Sequence, residues 1–236
     1  MKIGVITGGG DAPGLNSVIY GILLQAFEAG HEVIGIEKGW KGVMENITRP
    51  LKLIDLDNLH KIGGTILYST RTNPYKKVKN IKDDAEREKA IEATAKDMAG
   101  RFNALGIDAL IAIGGDDTLG VAAEMYKHAK SNVVGVPKTI DNDLSSTDYT
   151  FGFWTAAQLA TNTLDNLVTT AGSHQRIFVV QVMGRDAGWL TAASGIATGA
   201  AITLIPEQPF DMENDVVKVL KERCQKGFKY HIIACS

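Results

Sequence analysis

Two acidic, glycine-bearing runs hold the residues best suited to chemistry: Ile113-Gly114-Gly115-Asp116-Asp117-Thr118 and, after one helix and one strand, Pro137-Lys138-Thr139-Ile140-Asp141-Asn142-Asp143. Glycine lets backbone N–H groups close on an anion at a helix start. The carboxylates of Asp116, Asp117, Asp141 and Asp143 can hold a hard cation or take a proton. Phosphate cradling, cation binding and a base together are the parts of phosphoryl transfer, which depends on positioning and charge neutralisation.

Each run has a plain structural reading beside the chemical one. One of Asp116 and Asp117 can cap the helix that follows while the other faces the mouth where phosphate gathers. Asp141 and Asp143 lie on one side if the backbone there is extended, whereas an Asp-Asn-Asp turn would bond its own backbone instead. A third loop, Thr7 to Asn16, carries Gly8-Gly9-Gly10 between a strand and a helix. It fails the dinucleotide fingerprint, because G-x-G-x-x-G begun at Gly8 meets Pro13, and it lacks the Gly-Lys-Ser/Thr of a P-loop. Glu37 alone suits a nicotinamide cofactor. Arg176 and Arg185 bracket a strand that reads as buried, and their forks suit phosphate oxygens. Arg185 at a helix start opposes the dipole and points to an anion nearby. His174 reads as structural.

The elements that must position these groups alternate between β-rich runs and helical patterns, the signature of βαβ units and a parallel sheet covered on both faces. Strands are predicted at 2–7, 31–37, 108–113, 132–136, 176–183, 200–205 and 230–235. Helices are predicted at 15–29, 83–104, 118–130, 150–171, 187–198 and 211–226, and 40–75 is mixed. The turn-forming stretch Pro137 to Asp148 marks the domain boundary. The fold class is α/β.

The chain has 236 residues, 44% hydrophobic and 22% charged, enough to bury a substantial core. A net charge of −2 gives no global attraction to nucleic acid or an anionic membrane. The basic cluster Lys76-Lys77-Val78-Lys79 reads as a solvated loop face. No apolar run reaches the roughly 20 residues of a membrane span. The opening Met1-Lys2 runs straight into a strand, leaving no room for a signal peptide. Cys224 and Cys235 lack framework or metal spacing and read as reduced thiols of a cytoplasmic protein.

Taken in order, Gly8 to Asn16, Gly63 to Leu67, Gly114 to Thr118, Pro137 to Asp143, Thr147 to Phe153, Ser173 to Arg176 and Met183-Gly184-Arg185 resemble the phosphofructokinase family from end to end. The resemblance implies two Rossmann-like lobes with mainly parallel sheets, residues 1–137 binding the phosphoryl donor and 138–236 the sugar phosphate. It implies transfer to the 1-hydroxyl of fructose 6-phosphate with Mg2+, in a cytoplasmic homo-oligomer, dimer or tetramer. It casts Asp141 as general base, Asp116 as magnesium carboxylate and Arg185 as the transition-state arginine. Thr139 and Asp143 fall beside the reacting hydroxyl, Met183 and Gly184 near the sugar, and Arg176 at a neighbouring subunit's sugar phosphate. Gly9, Gly10, Arg71, Gly115, Asp117 and Thr118 fall on the donor side.

Two departures qualify the resemblance. ATP-using members usually carry glycine where this chain has Asp117 and Lys138, while pyrophosphate users look like this one. A carboxylate at Asp117 would repel and crowd the α-phosphate of ATP, and Lys138 offers pyrophosphate a compact charge. Family members also continue beyond the Ala234-Cys235-Ser236 end, so the resemblance implies a C-terminally short chain whose sugar lobe is incomplete. The donor expected is pyrophosphate. An ATP-dependent enzyme is the alternative, and a non-catalytic phosphate-binding subunit or fragment a distant one.

Overall fold

The structure, a computed structural model, describes residues 1–145 and 147–236 and falls into two compact units, Met1–Lys138 and Thr139–Ser236. The first unit contains β1 (Lys2–Thr7), α1 (Leu15–Glu28), β2 (Glu32–Ile36), α2 (Trp40–Glu45), β3 (Thr48–Leu51), α3 (Asp84–Ala104), β4 (Ala109–Gly114) and α4 (Asp116–Ala129), and β5 (Val133–Thr139) closes it. Its strands lie in the order β3-β2-β1-β4-β5. All neighbours pair in parallel except β2 and β3, which run antiparallel with Ile34 opposite Pro50. The apolar run Ala109 to Ile113 lies along β1, Ile3 opposite Ala109 and Thr7 opposite Ile113. That register brings the glycine loops after β1 and β4 to the same end of the sheet, where open α/β sheets bind ligands.

Helix α3 shows how the sequence selects a buried face. Ala95, Met98, Ala99 and Phe102, spaced to form one stripe, are its buried residues, and the last three join a core with Ile6, Trp40, Leu110 and Met125. Asp83 starts the helix by accepting the Glu86 N–H at 2.8 Å. The mixed stretch 40–75 resolves into α2, the antiparallel β3 and short 3-10 turns at Leu53–Leu56 and Leu59–Lys61, each too short to show a period.

The second unit contains β6 (Phe151–Gly152), α5 (Phe153–His174), β7 (Ile177–Gln181), α6 (Trp189–Ala197), β8 (Ile202–Leu204), α7 (Lys218–Gln225) and β9 (His231–Cys235). A π-helical turn at Met212–Val217 leads into α7, so the region predicted as one helix is two segments. Three parallel strands form the sheet β7-β9-β8, with β9 central and almost wholly buried. Leu164 and Ala171 of α5 pack on Ile232 and Ala234. The strand between the two arginines, read from sequence as buried, is half exposed: Ile177 and Val179 are 50% and 67% accessible.

Candidate active site

In the first unit the loop after β1 is tied down from several directions. Gly8 N–H donates to the Ile113 carbonyl at 2.9 Å and Gly9 N–H to the Thr70 carbonyl at 3.1 Å. The Ser69 hydroxyl donates to the Gly9 carbonyl and the Lys138 ammonium to the Gly10 carbonyl, each at 2.6 Å. Two of the N–H groups expected to face phosphate are therefore spent on the scaffold. What Gly9 contributes is space: its φ is +84°, and a Cβ there would stand 3.3 Å from the Lys138 Nζ. Lys138 is 4% exposed, so its charge is held at the loop by protein acceptors. Arg71 is exposed, and its guanidinium reaches to 4.0 Å from where a Gly10 Cβ would be.

The loop after β4 sits beside the first. Neither Asp116 nor Asp117 caps α4; the cap position is Gly115, which has no side chain to offer. Both aspartates instead occupy the first helical turn and are exposed, where the macrodipole favours negative charge. Thr118 is buried and fills the space left by two glycines. A Cβ on Gly8 would lie 2.5 Å from the Thr118 Oγ1, and one on Gly114 would lie 2.4 Å from the Thr118 Cβ. The Thr118 carbonyl accepts from the buried Trp40 indole at 3.2 Å, which pins the turn from below.

Asp117 has partners that the sequence did not suggest. Its Oδ1 accepts from Lys79 Nζ at 2.8 Å and from Asn73 Nδ2 at 2.9 Å. The hydrogen bond from Lys79 holds the Asp117 carboxyl below its ordinary range against the opposing pull of partial burial. The same bond raises the Lys79 ammonium. Lys79 therefore does more than line a solvated loop face. Beside this bridge is a cleft of about 320 Å3 lined by Tyr75, Val78, Ile91, Asp116, Val121 and Glu124, among others. The Tyr75 hydroxyl is buried with no hydrogen-bond partner among the described residues, and burial followed by the nearby Glu124 pushes its pKa up to about 12.

Asp116 lies next to this bridge with its carboxylate exposed. Among the described residues no group of three or more His, Cys, Asp or Glu side chains could hold a metal ion. A magnesium ion is normally held by one or two carboxylates together with substrate phosphates and water, so the lone Asp116 fits that ion and no all-protein cage is needed. Glu37, the residue that suited a nicotinamide cofactor, accepts a salt bridge from Arg49 at 3.3 Å.

In the second unit Thr139, Asp141 and Asp143 share one turn. The Asp141 N–H donates to the Thr139 Oγ1 at 3.0 Å, and the Asn142 Oδ1 accepts from the Thr150 N–H at 2.9 Å. Asn142 has φ +51°, so the backbone is not extended and the expected alternation fails. Asp141 is half-buried, while Asp143 is exposed and lines a cleft of about 860 Å3 with Tyr149, Trp154 and Trp189.

Met183, Gly184 and Arg185 follow β7. The Ala187 N–H closes a turn on the Gly184 carbonyl at 2.9 Å, and a Cβ on Gly184 would collide with the Ala187 carbonyl at 2.2 Å. Arg185 sits in this turn with φ +52°, a left-handed conformation that costs a side-chain-bearing residue about 1 kcal/mol or more. It does not start the helix, since α6 begins at Trp189. The anion at that helix end is the chain's own Glu207, which accepts the Gly188 N–H at 2.7 Å. Arg176 precedes the other end of β7, so the structure does not gather it with Arg185.

The family model described as phosphofructokinase matches residues 2–236. A pyrophosphate--fructose 6-phosphate 1-phosphotransferase from Amycolatopsis methanolica is 49% identical over 237 residues, covering 100% of this chain and 65% of the relative. An ATP-dependent 6-phosphofructokinase 2 from Streptomyces coelicolor is 48% identical over 239 residues, with the same coverage of 100% and 65%. The chain thus spans about 65% of the length of these curated relatives. Among solved structures, Pichia pastoris phosphofructokinase in the T-state superposes with TM-score 0.84 at 23% identity, covering all of this chain and 26% of that one. The pyrophosphate-dependent phosphofructokinase from Marinobacter aquaeolei gives 0.81 at 22% identity, covering 100% of this chain and 60% of that one, a likeness of fold alone. Among the described residues no helix is long and apolar enough to cross a membrane.

Proposed function

The chain belongs to the phosphofructokinase family, and from that premise we propose that it moves a phosphoryl group from pyrophosphate to the 1-hydroxyl of fructose 6-phosphate, giving fructose 1,6-bisphosphate. The first unit binds the donor. The second carries the part of the sugar site present in this chain. The Asp141 carboxylate takes the hydroxyl proton as the oxygen attacks phosphorus. The bridging P–O bond breaks, and phosphate leaves with the electron pair. Arg185 and Lys138 meet the charge on the transferred and leaving groups, while Thr139 and Asp143 orient the hydroxyl. Met183 and Gly184 contact the sugar, and Arg176 reaches a sugar phosphate bound by a neighbouring subunit of a cytoplasmic homo-oligomer. Asp116 holds the magnesium ion, which when bound offsets phosphate charge. Gly9, Gly10, Arg71, Gly115, Asp117 and Thr118 shape the donor site.

The observation that carries this reading is the Lys138 ammonium fixed at 2.6 Å on the Gly10 carbonyl, which puts a cation at the phosphate loop. Relatives named as pyrophosphate-dependent, at 49% and 45% identity, support the donor assignment. A second reading, ATP as donor, is favoured by the 48% identical relative named as ATP-dependent and by the cleft beside Asp116. A coupled aldolase assay on the natural enzyme carrying this chain, run with pyrophosphate and then ATP, decides between them.

A further inference from the structure

We infer that Lys79 and Asn73 hold Asp117 as a bar at the rim of the cleft beside the phosphate loop, so that three residues set donor selection. This rests on the donor reading above. The side chains of Lys79 and Asp117 are 63% and 69% exposed, placing the bridge at the solvent side, whereas Tyr75, Val78 and Val121 are buried at the floor. An exposed lysine–carboxylate pair is ordinarily weak and mobile. Here both anchors are stiff. Lys79 sits in the 3-10 turn Val78–Asn80, whose Val78 packs into the main core, and Asp117 is in the first turn of α4. Asn73 adds a second donor to the same oxygen, and its own Oδ1 accepts the Tyr75 N–H at 2.8 Å, which fixes its rotamer.

The consequence changes how Asp117 acts. Because the ammonium beside it offsets its charge, the carboxylate excludes a larger donor mainly by occupying space, with little net repulsion. Behind the bar the cleft mixes apolar Val78, Ile91 and Val121 with charged Arg87 and Glu124, and holds the Tyr75 hydroxyl, unsatisfied among the described residues, which an occupant's polar atom would satisfy. Releasing the bar opens that space to the non-phosphate part of a nucleotide.

The test measures kcat and KM for magnesium pyrophosphate and magnesium ATP in the natural enzyme and in Lys79→Met, Asn73→Ala and Lys79→Arg. In Lys79→Met and Asn73→Ala the ratio of kcat/KM for ATP over pyrophosphate should rise by about tenfold or more, carried by KM with kcat little changed, and Lys79→Arg should restore it. A ratio within twofold of the natural one in both variants overturns the inference while leaving the donor reading intact. A general drop in kcat with both donors and an unchanged ratio also overturns it, as a merely structural role. A natural enzyme that prefers ATP fails the donor reading itself, which the first measurement shows before any variant is made. Lys79 is exposed, and a melting curve matching the natural protein's confirms that the variants are folded.

Discussion

The two units hold their candidate site residues by different means. In the first, Gly9, Gly10, Lys138 and Thr118 are fixed by hydrogen bonds or close packing above a large core containing Trp40 and Phe102. In the second, Asp143, Arg176, Met183 and Arg185 are exposed, and turns with left-handed residues at Asn142 and Arg185 do the placing. In this chain the sheet beneath them has three strands, with Ile177 and Val179 exposed. Burial and hydrogen bonds hold the loops of the first unit, and local backbone geometry places the candidate residues of the second.

The largest effect should come from the acceptor turn. Asp141→Asn in the natural enzyme should lower kcat by about 10²–10⁴-fold, the scale of losing a general base, with KM changing much less. If kcat instead stays within a few-fold while KM rises, the turn binds substrate and supplies no base.

The contrast in cores can be broken by stability measurements. Phe102→Ala should cost the first unit about 3–5 kcal/mol, seen as an earlier fluorescence transition in denaturant. Trp40 is 2% exposed and reports that unit, while Trp154 and Trp189 are already exposed. A single transition shared by both units would erase the distinction.

The donor side is sharpened by Asp117→Gly combined with Lys138→Gly. Pyrophosphate use should fall sharply, with the lost lysine costing more than the added space gains. The unmodified enzyme should prefer pyrophosphate, and a tenfold preference for ATP in kcat/KM, about 1.4 kcal/mol, would defeat this assignment.

The smallest effect separates the units by pH. His231 at the start of β9 is buried, and burial followed by Arg223 holds its pKa below 6.5. The unfolded chain takes up a proton below pH 6.5 that the folded one refuses, so the second unit loses stability as pH falls through that point. The carboxylate of the Asp117–Lys79 bridge loses its contribution in the same direction, but only at far lower pH. Its contribution is present above the ordinary carboxylate value of 3.8 and is lost only as pH falls through the depressed folded value. The lysine part of the bridge disappears as pH rises through a folded value above 10.5. Tm measured from pH 7 downward should first fall in the second unit, and His231→Asn should flatten that slope.

How much could be read beforehand follows from the range of the forces involved. The strands β1, β4 and β9 announce themselves as apolar runs, and α3 by its stripe, because burial is written into consecutive or periodic positions. The α/β class and the mainly parallel sheet were legible for that reason. Stretch 40–75 was not, since α2 and β3 are shorter than a readable period. The cap at Gly115, the left-handed Asn142 and the capping of α6 by Glu207 depend on geometry that composition does not record. Lys79 and Asn73 were missed because they meet Asp117 across sequence separations of 38 and 44, and nothing local distinguishes them from solvated neighbours.

Thr118, wedged between Gly8 and Gly114, has an evolutionary consequence. With a Cβ on either glycine falling about a bond length and a half from the threonine, none of the three positions can drift alone. A larger residue at Gly8 or Gly114 is tolerable only in a background where position 118 has already shrunk, while the bond from the Trp40 indole to the main-chain carbonyl there is indifferent to that side chain. Two loops encoded more than a hundred codons apart are thereby inherited as one character, and recombination between them would join parts that no longer fit.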